Sequence, residues 1–84
     1  MQTAIVPVSV FPASANTLMI RSITLGPPPS YYYELQQVTG EKVIVLKNGN
    51  TSMTQQQWAA WPADADDDEV QLDAIAANLG LTRA

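Results

Sequence analysis

The stretch MTQQQWAAWPADADDDEVQLDAIAANLGL, residues 53–81, decides how the last third of the chain folds. Thr54 and Gln57 have the spacing of a helix capping box, and Met53 and Trp58 have the spacing of the hydrophobic staple that often accompanies one. Pro62 disfavours helical backbone at the residue before it. These signals predict a first short helix over about residues 55–60.

A second helix is predicted from about Asp67 or Asp68 to Asn78 or Leu79. Asp66 or Asp67 is placed to cap it, and the acidic residues that follow occupy the first turn, where the helix dipole favours negative charge. Apolar residues spaced i, i+3, i+4 and i+7 give this helix one buried stripe: Leu72, Ile75, Ala76 and Leu79. Gly80 stands where a left-handed residue ends a helix, and Leu81 follows as in a Schellman motif.

The first half of the chain has the composition of β structure. Runs rich in Val, Ile, Leu and Tyr, separated by Pro, Gly and Asn, predict strands at residues 3–11, 17–25, 31–38 and 42–47. Turns are predicted at residues 12–16 and 39–41, and at Asn48-Gly49, because Asn and Gly both tolerate positive φ. Pro7 cannot donate a hydrogen bond, so we expect the first strand at an edge of the sheet.

These elements predict an α+β fold, with a small antiparallel sheet of about four strands followed by two short C-terminal helices on one of its faces. The chain is expected to be a single domain over residues 1–84, with a β-rich part at 1–50 and a two-helix part at 51–84. The core is predicted to bring helix residues against sheet residues, namely Trp58, Trp61, Leu72, Ile75 and Leu79 against Val6, Val8, Val10, Ile20, Val43 and Val45.

Composition favours a subunit that buries part of its surface in an assembly. The chain has 84 residues, of which 46% are hydrophobic and only 14% charged. The alternative is a monomer with an ordinary apolar surface. The net charge of −4 argues against binding to nucleic acid and against an anionic membrane surface. No secretory signal and no membrane-spanning run is evident in the sequence.

The inventory of reactive side chains is thin. The sequence contains no histidine and no cysteine, so the commonest general base, the thiolate nucleophile and the usual zinc ligands are missing. Asp64, Asp66 and Asp68 match the opening of a calcium loop, but Glu69 replaces its turn glycine and Ile75 stands in place of its bidentate glutamate. We therefore expect no enzymatic activity, no cofactor and no metal site, and we interpret the acidic run as helix capping.

Protein contacts are the function that the sequence favours. The edge strand, the tyrosine run and the tryptophans supply the candidate interface residues: Val6, Val8, Val10, Tyr31, Tyr32, Tyr33, Trp58 and Trp61. For the tyrosines and the tryptophans, internal packing is the first interpretation and an interface is the second. A weaker alternative is a carbohydrate-binding module that uses the tyrosines.

Residues 52–61, SMTQQQWAAW, and residues 73–81, DAIAANLGL, are joined by the acidic linker. Together they resemble the ending of small structural proteins of tailed bacteriophages, which has a Thr-x-x-Gln-Trp-x-x-Trp start, an aspartate-rich loop and an Ala-x-Asn-Leu-Gly-Leu close. The resemblance covers about residues 51–84. It implies a non-enzymatic virion component in the tail, the fibre attachment or the head surface.

Such a component is made in the host cytoplasm, and its partners are other virion proteins or copies of itself. The alternative function is a small, acidic cytoplasmic adaptor or regulator that binds one protein partner through the acidic loop.

Overall fold

The computed structural model describes residues 1–10, 13–24, 26–64 and 66–84. Within these residues the chain forms four strands and then two helices: β1 (Gln2–Val10), β2 (Ala13–Thr24), β3 (Ser30–Thr39), β4 (Lys42–Ser52), α1 (Gln55–Ala59) and α2 (Asp67–Asn78). The strands pair antiparallel in the order β1-β2-β3-β4. The predicted α+β fold is confirmed. No helix in the described ranges has the length and apolar character needed to cross a membrane.

Three strands are longer than the sequence predicts, β3 by one residue at each end and β2 and β4 by several residues. Residues 13–16, assigned to a turn, belong to β2, and Asn48-Gly49 continues β4 instead of ending it. Gly49 pairs with Tyr33, and a Cβ at residue 49 would lie 3.1 Å from the Tyr33 ring. Glycine is therefore required at residue 49 because the Tyr33 side chain packs against its backbone, and not because the residue lies in a turn. Phe11, Pro12 and Leu25, predicted at strand ends and in a turn, lie outside the described residues.

The turn between β3 and β4 is as short as predicted. Thr39 pairs with Lys42, which leaves Gly40 and Glu41 as the two turn residues. Gly40 has a φ of +59°, and no non-glycine residue in the described ranges has a positive φ. Positive φ at the first central residue alone is the pattern of a type II′ turn, which suits the right-handed twist of a hairpin.

The core lies between one face of the sheet and the helices. Its buried apolar residues are Ile5, Ala15, Leu18, Ile20, Tyr31, Tyr33, Leu35, Met53, Leu72, Ile75 and Ala76. The predicted stripe of α2 is confirmed, with Leu79 partly buried at its end. Val8, Val10 and Trp61 are also partly buried and pack against this core.

Three valines predicted for the core are exposed. Val6, Val43 and Val45 are 49%, 55% and 44% exposed. In β1 the pairing shifts between Ala4 and Val8, and Ile5 takes the inward position that the alternation had assigned to Val6. Val43 and Val45 lie at the turn end of β4, where the chain leaves the sheet uncovered.

Both helices begin with the predicted caps. The Gln57 backbone N–H donates to the Thr54 hydroxyl at 3.1 Å, and the Thr54 N–H donates to the Gln57 side-chain oxygen at 2.9 Å. At α2, the Glu69 N–H donates to the Asp66 carboxylate at 3.2 Å. These bonds satisfy N–H groups that have no partner inside the first turn of a helix.

The end of α2 has the predicted Schellman geometry. Gly80 has a φ of +72°. The Leu81 N–H donates to the Ala76 carbonyl at 2.8 Å, and the Gly80 N–H donates to the Ala77 carbonyl at 3.1 Å. The turn directs the residues that follow back toward β1.

Candidate functional site

The outer edge of β1 is partly closed by the chain itself. The Val6 N–H donates to the Thr82 carbonyl at 2.8 Å, and the Ala84 N–H donates to the Ala4 carbonyl at 3.0 Å. Ile5 and Arg83 form an antiparallel bridge between these bonds. The tail, residues 82–84, thus acts as a short extra strand and uses backbone groups that an incoming strand would need.

Salt bridges and a hydrogen bond from Arg83 hold this tail in place. The Arg83 guanidinium contacts the carboxylates of Glu69 and Asp73, both at 2.7 Å, and its Nε–H donates to the Thr3 hydroxyl at 3.0 Å. The bonds to Glu69 and then Asp73 raise the pKa of Arg83 above its ordinary value. Arg83 therefore ties the tail to both β1 and α2.

The opposite edge of the sheet, along β4, differs from that of β1. β4 is the last strand in the sheet order, and no strand pairs with its outer side in the part of the chain that the structure describes. Val43, Ile44 and Val45 are each about half exposed. Neighbouring strand residues point to opposite faces, so both faces of the sheet are open here. We call residues 41–47 the β4 edge.

The direction of the backbone groups on the β4 edge follows from the turn. A two-residue turn closes on a hydrogen-bonded pair, here Thr39 and Lys42, and hydrogen-bonded and non-bonded pairs then alternate along an antiparallel ladder. Lys42 and Ile44 therefore direct their N–H and C=O groups toward β3. Val43 and Val45 direct theirs outward, where a further strand would bind.

Sequence reasoning missed the β4 edge as a surface. The run Val43–Ile44–Val45–Leu46 is uniformly apolar, a pattern typical of a strand buried on both faces, and it predicts Val43 and Val45 for the core. The signals available were Lys42 and Lys47 at its ends and the turn directly before it. Lysines are common on edge strands, where they discourage unwanted pairing.

The predicted tyrosine surface is divided between the two faces of the sheet. Tyr31 and Tyr33 are buried in the core, and the Tyr31 hydroxyl donates to the Gln71 side-chain oxygen at 2.7 Å. Burial raises the pKa of Tyr31. These two rings pack internally, as the first interpretation predicts, and of the three tyrosines only Tyr32 has a ring that a partner can reach.

Tyr32 belongs to a polar network on the other face. Its hydroxyl donates to Glu34 at 2.6 Å, and the Gln36 amide donates to the other carboxylate oxygen of Glu34 at 2.8 Å. The Arg21 guanidinium carbon lies 5.8 Å from the centre of the Tyr32 ring. The bonds from Tyr32 and Gln36 lower the pKa of Glu34, and the bond to Glu34 raises the pKa of Tyr32.

The two tryptophans pack against each other at the side of the acidic loop. Their ring centres are 5.8 Å apart with the planes at 84°, an edge-to-face arrangement. The Trp61 indole N–H donates to the Asp67 carboxylate at 3.2 Å. Both rings are partly exposed, so Trp58 and Trp61 stay interface candidates together with Val6, Val8 and Val10.

Across the described ranges, no group of three or more Asp or Glu side chains is placed to hold a metal ion, and no pocket is found. Comparison of the chain with protein families, curated proteins and solved structures found no match. The candidate functional site is accordingly described from this chain's own geometry, and it is the β4 edge.

Proposed function

We propose that this chain is a non-enzymatic structural subunit of a bacteriophage particle that acts through protein–protein contacts. The observation that carries the proposal is the open β4 edge, where Val43, Ile44 and Val45 are exposed beside outward backbone groups. An added strand satisfies the backbone groups of such an edge and buries its side chains.

The choice of a phage particle rests on the C-terminal third. Residues 51–84 resemble the endings of phage structural proteins, and the low fraction of charged residues suits a subunit packed among others. The partners are other virion proteins or copies of this chain, and the protein is located in the virion.

The energetics of the β4 edge favour an assembly of many copies over a tight pair. Burying the exposed half of a valine or isoleucine side chain contributes about 1 kcal/mol. Association itself costs roughly 4–15 kcal/mol in lost freedom of motion and ordering. A single edge contact is therefore weak, and it gains strength when several contacts on the same particle act together.

The adaptor alternative has less support, because the acidic loop is used inside the chain. The Asp66 carboxylate caps α2, and the Asp67 carboxylate accepts the Trp61 indole N–H. All four aspartates of the loop are exposed, but two of them, Asp66 and Asp67, are thus engaged in bonds within the chain.

The proposal is tested on phage particles purified from the bacteriophage that carries the gene for this chain. Quantitative mass spectrometry is expected to find the chain at a fixed copy number per particle, and a cryo-EM map is expected to show the β4 edge in contact with a neighbour. Absence from the particles, together with a monomer that loses one basic partner when Asp64 and Asp68 become Asn, would support the adaptor instead.

A pair of variants isolates the role of the β4 edge. Ile44→Lys is expected to lower the copy number in particles, because pairing would bury a charge. Ile23→Lys is the matched control, since Ile23 and Ile44 are 52% and 50% exposed but Ile23 lies on the interior strand β2. Equal losses for the two variants would contradict a specific role for this edge.

A further inference from the structure

We propose that Asn48 is a site of spontaneous deamidation, that the pairing of β4 with β3 holds the reaction back, and that the product weakens this pairing. Asn48 is exposed and is followed by Gly49. The other three asparagines are followed by threonine or leucine: Asn16, Asn50 and Asn78. The reaction needs only this chain and water, so it does not depend on a place in a phage particle.

The reaction joins the Asn48 side chain to the next peptide nitrogen. The backbone nitrogen of Gly49 attacks the side-chain carbonyl carbon of Asn48, loses its proton and forms a C–N bond, while the side-chain nitrogen leaves as ammonia. Water then opens the five-membered succinimide ring at one of its two carbonyls, which gives aspartate or isoaspartate at residue 48. A following glycine favours the attack, because no Cβ crowds its nitrogen. An uncharged amide thus becomes a carboxylate.

The fold keeps Asn48 out of the reactive geometry. Asn48 and Gly49 pair with Glu34 and Tyr33 of β3. In extended backbone the nitrogen of the next residue is turned away from the side chain, so ring closure requires rotation about the Asn48 Cα–C bond. The Tyr33 ring opposes this rotation, since it lies 3.1 Å from the position that a Cβ on Gly49 would take. The folded chain can therefore react only when this part of β4 opens.

Local opening is favoured where Asn48 lies. β4 is the last strand in the sheet order, and no strand within the described ranges pairs with its outer side. The bulge between the Gln36–Val45 and Leu35–Lys47 pairs interrupts the ladder just before Asn48. Segments with few supporting contacts open more often than the whole chain unfolds. We therefore expect a slow but measurable reaction in the folded chain.

The product places a carboxylate opposite Glu34. Directly paired residues share a face of the sheet, and Glu34 already accepts hydrogen bonds there from Tyr32 and Gln36. The bond to Glu34 raises the pKa of Tyr32, and the Asn48 amide beside the same hydroxyl opposes this rise. Like charges on directly opposite residues destabilise an antiparallel pair. The modified chain should therefore lose pairing next to the β4 edge.

Peptide mapping by mass spectrometry tests the site. The purified chain is incubated at neutral pH, either folded or in concentrated urea, and the mass increase of an amide-to-acid exchange is followed at each asparagine. Asn48 is expected to convert fastest under both conditions, and at least about tenfold more slowly in the folded chain than in urea. Asn48→Gln keeps an amide but would need a larger ring, so this variant should not convert at residue 48.

Three results of this measurement would overturn the proposal. They are faster conversion at another asparagine, equal rates at Asn48 in the folded and unfolded chains, and no conversion at Asn48 in the folded chain. Low urea concentrations separate local from global opening. A local opening exposes little surface, so the folded rate should change little, whereas a rate that rises with the unfolded fraction would contradict local opening.

Asn48→Asp reproduces the aspartate product and tests its effect. This variant should lower the urea midpoint and speed hydrogen exchange of the β4 amides. Asn50→Asp is the matched control, because Asn50 is exposed on the same face of β4 but lies opposite Tyr32. Its effect is expected to be smaller.

Removing the opposing charge completes the test. In a Glu34→Gln background, Asn48→Asp should lower the urea midpoint much less than it does in the wild type, since the repulsion is gone. Equal losses for Asn48→Asp and Asn50→Asp would contradict repulsion by Glu34, as would a loss that Glu34→Gln leaves unchanged.

Discussion

Gly49 and Gly80 show two different reasons for a glycine. At residue 80 a Cβ would meet nothing within 4 Å, but the φ of +72° is one that other residues adopt only with strain. At residue 49 the φ is not in that region, and the obstacle is the Tyr33 ring at 3.1 Å. The first glycine is recognisable from its position after a helix, whereas the second depends on a residue of another strand.

Gly49→Ala is expected to lower the free energy of unfolding by about 1–3 kcal/mol, because the methyl group forces the Tyr33 ring to shift within a packed core. Urea denaturation followed by tryptophan fluorescence measures this loss. Gly80→Ala serves as a comparison, with a loss of about 1 kcal/mol from backbone strain alone. If Tyr33→Leu leaves the cost of the alanine at residue 49 unchanged, the clash is not its cause.

Glu34 predicts a dependence of stability on pH. Its pKa is lowered in the folded state by the bonds from Tyr32 and Gln36, from an ordinary value of 4.5. A group with a depressed pKa in the folded state stabilises the fold above its unfolded pKa, and this contribution is lost as the pH falls through the folded value. The wild type should therefore lose its stability advantage over Glu34→Gln as the pH falls below the ordinary Glu34 pKa of 4.5. Denaturant titrations of both proteins across this range measure the difference, and a constant difference would contradict the role of Glu34.

At the scale of elements, α1 depends on its cap. It has only five residues, too few to be stable alone, and its capping residue Gln57 also donates to the Asn78 side-chain oxygen at 2.9 Å. Asn78 in turn donates to the Ser52 carbonyl at 3.0 Å. One side chain thus links the start of α1 to the end of α2 and, through Asn78, to the end of β4.

Thr54→Ala is expected to cost about 1 kcal/mol of stability and to fray α1 first. Thr54→Ser keeps the hydroxyl and should stay within a few tenths of a kcal/mol of the wild type. Hydrogen exchange of the α1 amides separates local fraying from global unfolding. Equal exchange in the two variants would show that the hydroxyl bond to Gln57 does not hold the helix.

The helices could be predicted from sequence because their signals are local. The capping box at Thr54, the cap at Asp66 and the glycine ending at residue 80 each involve residues close in the chain. The burial of β4 could not be predicted in this way. Val43 has the side chain of a core residue, and its exposure depends on how far the helices reach across the sheet, which is decided by packing. The candidate site was missed for the same reason.

At the scale of the whole molecule, the two edges of the sheet differ: the β1 edge is covered by the tail, and the β4 edge is not covered by another strand of the described residues. The tail covers β1 through two backbone hydrogen bonds and is held by Arg83, while no strand within the described residues pairs with the outer side of β4. A protein with one open edge can close a two-fold pair and stop there. A protein with two open edges can extend into a chain of sheets.

Removing residues 82–84 is therefore expected to change the size of the assembly as well as stability. The loss of two backbone hydrogen bonds should lower the free energy of unfolding by about 2 kcal/mol. The freed β1 edge should add species larger than those that the wild type forms in sedimentation velocity, because each copy then offers two edges. Arg83→Gln is the control: it removes the contacts to Glu69 and Asp73 but keeps the backbone pairing, so a smaller loss of stability and no larger species are expected. A truncated chain that assembles no further than the wild type would show that the tail does not guard the β1 edge.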